Sequence, residues 1–186
     1  LVLADFSKNA DGFAVDWGYS FAKRVSSPSA NGNGSLRLTA KLTSSLVNSG
    51  AKKDYSTPQN FSAYSQLSAW IHLPTGAPAD LKAEFYVKST SAWKWADGAD
   101  VTLVSASWVQ VRITPAEISA LGGTISDIRQ IGVQIKRGAS DYNSFVYHDL
   151  FEAGGGANPL DTRNRIYGDW YNRFNSLNSD GAGFWI

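Results

Sequence analysis

The sequence predicts an all-β domain, a β-sandwich of jelly-roll type built from two antiparallel sheets. Three observations carry that prediction. Several segments alternate apolar and polar residues with period two, clusters of Gly, Pro and Asn separate them, and a long helical period is hard to find before residue 160. Side chains two apart on a strand share a face, so each segment would bury one side and wet the other. Many short strands of this kind are best buried by packing two sheets face to face.

In Ser35-Leu36-Arg37-Leu38-Thr39, Leu36 and Leu38 point to a core while Arg37 and Thr39 point to water. The same grammar recurs over residues 67–73, 81–88, 108–113, 131–136 and 145–150. Turns fall at Asn31-Gly32-Asn33-Gly34 and Pro74-Thr75-Gly76-Ala77-Pro78, where the residues supply positive or fixed φ. Near the start, Asp11 to Tyr19 alternates so that Phe13, Val15, Trp17 and Tyr19 share one side, a side that core burial alone would explain. Lys52-Lys53-Asp54-Tyr55-Ser56 reads as a polar loop whose one ring either joins a binding surface or caps a sheet edge. Thr114-Pro115-Ala116-Glu117 has a cap, a proline at the first helical position and an acid at the third, which predicts one short helical turn. Beyond Leu150, Gly154-Gly155-Gly156 and Asn158-Pro159 read as a linker, and Ile166, Trp170 and Phe174 would line one face of a short helix starting near Asp161. The expected organisation is therefore a sandwich over residues 1–153 and a Gly-rich linker and C-terminal tail over 154–186.

Composition narrows the function. With 17 Lys+Arg against 16 Asp+Glu, a net charge of +1 and no basic run, charge-driven binding to nucleic acid or a membrane surface is disfavoured. The longest apolar stretches fall far short of the roughly 18 residues a membrane-spanning helix needs. The absence of Cys removes disulfides, thiol nucleophiles and thiolate zinc sites. A chain without Met that opens on Leu1-Val2-Leu3-Ala4 is expected to be a processed product or an excised module.

The supply of catalytic groups is thin. Glycoside cleavage needs two carboxyl groups flanking the bond. The three glutamates each have an ordinary role: Glu84 outward on a strand, Glu117 in a capping box, Glu152 at the end of the last strand. His72 and His148 stand alone in different strands. Aromatic residues, by contrast, make up 13% of the chain, including seven Trp. In Trp93-Lys94-Trp95 two indoles sit in a polar stretch, where they either form one plane or are divided by a turn, with one plugging the sandwich edge. Exposed indoles suit the apolar C–H face of a pyranose. Gln134, Lys136 and Arg137 would offer hydrogen bonds to its hydroxyls, or else form an ordinary solvated sheet face.

The order of Asp5-Phe6, Asp11-Gly12-Phe13, Gly32 to Leu38, Leu67 to Ile71, Trp93-Lys94-Trp95, Ile131 to Ile135 and Phe145 to Asp149 resembles the jelly-roll carbohydrate-binding modules of secreted bacterial polysaccharide hydrolases. The likeness covers residues 1–153 and is strongest to mannanase modules of family 27 and its relatives. The resemblance implies a secreted, non-catalytic module that holds a β-linked glycan, mannan or glucomannan, and serves a covalently attached glycoside hydrolase. It implies stacking by Trp17, Trp95, Trp93 and Tyr55, with Gln134 and Arg137 as polar partners. It also implies a structural calcium between Asp5, Asn33 and Asp149, although Ser7 stands where a Glu is usual and His148 where a second acid is common. The alternatives are a small jelly-roll glycanase or polysaccharide lyase, and a structural or adhesion sandwich whose rings are all core.

Overall fold

A computed structural model describes residues 1–31 and 33–154. Its strands are β1 (Val2–Ala4), β2 (Phe13–Trp17), β3 (Tyr19–Val25), β4 (Ser35–Leu42), β5 (Asn48–Gln59), β6 (Leu67–His72), β7 (Lys82–Ser89), β8 (Lys94–Asp97), β9 (Val101–Thr102), β10 (Trp108–Ile113), β11 (Ile128–Lys136) and β12 (Tyr142–Ala153). One helix, α1 (Pro115–Ala120), lies between β10 and β11. The first sheet runs β10-β6-β12-β4-β3 with β1 added to β12, and the second runs β2-β5-β11-β7-β8 with β9 added to β7. All these pairings are antiparallel. This is the sandwich that the alternation predicts.

The core lies between the sheets and is made of alternate residues from both. Leu36, Leu38, Ala40 and Leu42 of β4 face Phe85 and Val87 of β7 and Ile131, Val133 and Ile135 of β11 across a fully buried layer. Phe6, Phe13 and Phe151 meet at centroid separations of 4.2 to 6.1 Å and tie the segment after β1 to both sheets. At α1 the expected cap is present: Glu117 N donates to Thr114 Oγ1 at 3.3 Å, and Thr114 N donates to Glu117 Oε2 at 2.7 Å.

The expected loop at 52–56 is instead the middle of β5, which joins β2 to β11. It reads as a loop because its outer face is charged, with Lys52 and Asp54. Lys53, on the inner side, carries its Nζ out to the Leu3 carbonyl at 2.9 Å. The helix expected from Asp161 lies outside the described residues.

Candidate functional site

The outer face of the second sheet gathers rings over a glycine floor. On β7 and β11, Phe85, Val87, Ile131 and Val133 point inward, so Glu84, Tyr86, Gly132 and Gln134 point outward. The register of β2 on β5 shifts between Val15 and Trp17, bringing Trp17 opposite Gly50. That irregularity separates Trp17 from Phe13 and Val15, with which simple alternation would group it. A Cβ on Gly50 would come within 2.4 Å of the Trp17 ring, and one on Gly132 within 2.3 Å of the Tyr86 ring. Both glycines are required by close approach: the rings lie flat across the backbone.

Trp17 and Trp95 stand on the two end strands of the sheet order, β2 and β8, yet their centroids are 5.9 Å apart. Four strand spacings of about 4.8 Å would separate these strands by roughly 19 Å, so both rings lean toward the middle of the face. Tyr86 fills the space between them, stacked on Trp95 at 4.2 Å and 13° and 5.7 Å from Trp17. Tyr86 is fully buried, whereas both indoles are half-buried.

Hydrogen bonds fix each ring. Trp17 Nε1 donates to Asn48 Oδ1 at 2.8 Å, Trp95 Nε1 to Asp97 Oδ2 at 3.1 Å, and the Tyr86 hydroxyl to Asp16 Oδ2 at 3.0 Å. Asp16 also accepts from Gln130 Nε2 at 3.1 Å and lies 3.7 Å from both Lys52 and Lys88. The rings are therefore preorganised before any ligand arrives, which spares ordering cost on binding.

Beside the rings runs a second polar group. Glu84, only 2% exposed, accepts from Gln134 Nε2 at 2.7 Å and from Lys136 Nζ at 2.5 Å, and Lys136 also meets Asp100 at 2.7 Å. Burial pushes the Glu84 carboxyl up to about 7, with Lys136 pulling the other way. In the sequence Glu84 reads as an ordinary outward strand residue, and neither Tyr86 nor Asp16 stands out. Only parity with Gln134 across the ladder, Glu84 opposite Gln134, could have signalled the cluster.

Of the residues singled out in the sequence, Trp17, Trp95 and Gln134 come together on this face. Trp93 does not share their plane. It sits in the turn before β8 at φ 54°, its N–H bonded to the Thr90 carbonyl, and its 48% exposed ring has no ring partner among the described residues. Positive φ between β7 and β8 breaks the alternation that would align it with Trp95. Tyr55 shares the inner side of β5 with Ala51 and lies 6.3 Å from the Phe61 ring, on the opposite side of the sheet from the indoles. Burial raises its hydroxyl well above the usual tyrosine range. Arg137 follows the end of β11 and is held locally, its Nε and a terminal nitrogen each 2.9 Å from Asp141 Oδ1.

A family model described as mannanase, galactose-binding domain-like, matches residues 4–150. The chain belongs to that family. No curated protein matches this member of the family in sequence. Among solved structures it is similar to a family 28 carbohydrate-binding module specific for non-crystalline cellulose. The TM-score is 0.65 at 11% identity, covering 83% of this chain and 94% of that one. It is also similar to the first family 27 module of Caldicellulosiruptor saccharolyticus, solved with mannohexaose, with a TM-score of 0.59 at 13% identity, covering 83% and 96%. The family 22 xylan-binding domain from Paenibacillus barcinonensis Xyn10C gives 0.53 at 12% identity, covering 84% and 97%. At these identities the likeness establishes the jelly-roll fold and nothing finer.

The calcium that the resemblance implies does not fit the residues present. Calcium takes about six to eight oxygen ligands. Here Asp149 Oδ2 accepts from Ala30 N at 2.7 Å, Ser29 Oγ at 3.3 Å and Asn31 N at 3.4 Å, and Oδ1 accepts from Leu150 N at 2.7 Å. Burial pushes this carboxyl up to about 6 against those four hydrogen bonds. Asp5 accepts from Ser7 N at 3.0 Å and from the Asn33 amide at 3.4 Å. Both carboxylates face hydrogen-bond donors, which cannot ligate a cation. Among the described residues no group of three or more His, Cys, Asp or Glu could hold a metal ion.

Proposed function

We propose that the outer face of the second sheet holds a β-linked polysaccharide, mannan or glucomannan, and that the module carries this ligand to a catalytic domain of the same secreted polypeptide without doing chemistry itself. The observation that carries the reading is the pair of half-buried indoles, Trp17 and Trp95, locked 5.9 Å apart, Trp17 over Gly50 and Trp95 stacked on Tyr86. Each ring offers a flat apolar surface to a sugar's C–H face. Covering about 100 Å² at about 25 cal/mol/Å² is worth roughly 2.5 kcal/mol per ring before ordering costs, so two rings supply about 5 kcal/mol, a dissociation constant on the order of 0.1 mM that polar contacts must tighten. Gln134 and Lys136, held in place by Glu84, supply polar groups beside the rings. Tyr55 and Arg137 are left out of the site, because one faces the core and the other is committed to Asp141.

Mannan is favoured over other glycans by the family's mannanase description and by the mannohexaose in the family 27 relative. Similar structures described with cellulose and xylan make those glycans the competitors to test. The deciding experiment is affinity electrophoresis and calorimetry of the purified chain against galactomannan, glucomannan, xylan and a soluble β-glucan. Retardation by the two mannans, lost in Trp95→Ala with an unchanged circular dichroism spectrum, is the expected result. Equal retardation by xylan and β-glucan would overturn the specificity, and binding retained in Trp95→Ala would overturn the site.

A further inference from the structure

The segment after β1 and the turn before β4 meet at a corner where main-chain oxygens converge. Phe6 O, Ser7 O and Asn33 O all point to one place, and one side chain occupies it. Arg24, near the end of β3, donates through Nε to Phe6 O at 3.0 Å, and through one terminal nitrogen to Ser7 O at 3.0 Å and to Asn33 O at 2.8 Å. Three neutral carbonyls from two segments are thereby tied to a third segment by a single cation.

The surroundings are shaped to this arrangement. Phe6 takes φ 51°, an unfavourable value for an aromatic residue, and is held from both sides. Its N–H, with that of Asp5, donates to Asp11 Oδ2 at 2.8 and 3.0 Å, while its carbonyl accepts from Arg24. Gly34, at φ 149°, lets the turn close: a Cβ there would lie 2.6 Å from Phe6 O and 3.0 Å from Arg24 Nε. The two acids beside the corner are both engaged, Asp5 with Ser7 N and the Asn33 amide and Asp11 with the Asp5 and Phe6 N–H groups, and leave the carbonyls to the guanidinium.

We propose that Arg24 replaces the divalent cation in this member of the family, cross-linking the β1 segment, the turn before β4 and β3 through carbonyl oxygens, so that the fold has no calcium requirement. The chemistry suits the substitution. A guanidinium presents five N–H donors in a fixed fork, and uncharged carbonyls satisfy it without a carboxylate. A calcium ion would need several more oxygens, and the carboxylates at hand, Asp5 and Asp149, are turned to donors. The inference is independent of which ligand the outer face of the second sheet takes.

The test is thermal unfolding of the full chain in excess calcium chloride and in excess chelator, with wild type and Arg24→Ala in parallel. The wild-type midpoint is expected to agree in the two conditions to within about a degree, and Arg24→Ala to melt about 4 °C or more lower, because charged donors to three carbonyls are lost together. A wild-type midpoint raised by several degrees in calcium would overturn the proposal. So would an Arg24→Ala variant that melts with the wild type. If Arg24→Ala does not fold, the wild-type calcium comparison decides alone, supported by Arg24→Lys, whose single ammonium cannot reproduce the fork and is expected to melt below wild type.

Discussion

The two sheets are built by the same alternation, yet their outer faces differ in how far each side chain is tied down. On the second sheet, Trp17 and Tyr86 rest on glycines, Trp95 stacks on Tyr86, each of the three donates a hydrogen bond, and Lys52, Lys88 and Lys136 are paired with Asp16, Asp54, Glu84 or Asp100. On the first sheet a row crosses five strands in register, from Lys23 through Arg37, Tyr147 and His72 to Trp108. Its rings also touch, with His72 5.1 Å from Trp108 and 5.8 Å from Tyr147, and Arg37 lies 4.4 Å over Phe145. But Phe21 is 51% exposed and Phe145 37%, and Lys23 and Arg37 make no ion pair with a described residue. What differs between the two faces is not aromatic content but how far the rings are held by close packing and satisfied hydrogen bonds.

The sharpest way to break this comparison is a matched pair of truncations. Trp95→Ala is expected to weaken mannan binding about 10- to 100-fold, the loss of one ring's burial, while Trp108→Ala on the other face changes it less than about twofold. Calorimetry of both variants reads the difference. Equal losses would mean that the first sheet, not the second, or both together, carries the ligand.

Next in size is the floor. Gly132→Ala places a methyl where the Tyr86 ring lies, and the ring cannot yield without disturbing Trp95 stacked on it at 4.2 Å. Overpacking of this kind costs about 1–3 kcal/mol, so the urea midpoint should fall and binding should weaken with it. Gly76→Ala is the control for backbone conformation, since Gly76 has φ 83° and open space around it. A variant at Gly132 as stable as wild type would show that the rings are loosely seated.

Much of this was legible in the sequence, and the failures have local causes. The alternation at 35–39, 67–73, 81–88, 108–113, 131–136 and 145–150 gave six strands and hence the sandwich, because each segment buries one face and wets the other. Trp17 read as facing with Phe13 because an irregularity at Val15 and Trp17 leaves no mark on the residue pattern. Whether Trp93 and Trp95 form one plane or are divided by a turn stays open in the sequence, because a non-glycine residue at positive φ carries no compositional signal. Tyr55 was misplaced because Lys53, an inward residue with an escaping ammonium, made a central strand look like a loop. Arg24 was invisible for a different reason: its value comes from three carbonyls distant in sequence, and carbonyls have no letter.

A smaller effect sharpens the comparison through pH. Burial pushes Glu84 from its ordinary 4.5 up to about 7, despite Lys136, while Asp97 and Asp100 add repulsion or competition for its partners. The folded chain thus holds a proton up to about pH 7 that the unfolded chain releases near 4.5. The stability this group contributes is full below about pH 4.5 and is lost as pH rises through 7. His148 works in the opposite sense, since complete burial lowers it to about 3 and its contribution fades as pH falls from 6.5 toward 3. Thermal midpoints between pH 5 and 8 should decline in wild type and decline less in Glu84→Gln. An identical slope in the variant would assign the decline to some other group.

The smallest expected change tests the assignment of sides within β5. The Tyr55 hydroxyl is buried with no hydrogen-bond partner among the described residues, and its ring packs with the core beside Phe61. Removing an unsatisfied buried hydroxyl relieves its desolvation and keeps the ring, so Tyr55→Phe should leave stability unchanged or raise it by up to about 1 kcal/mol. Because that hydroxyl lies on the side away from Trp17 and Trp95, mannan affinity should stay within error of wild type. A drop in affinity would place Tyr55 against the ligand and overturn its assignment to the inner side of β5.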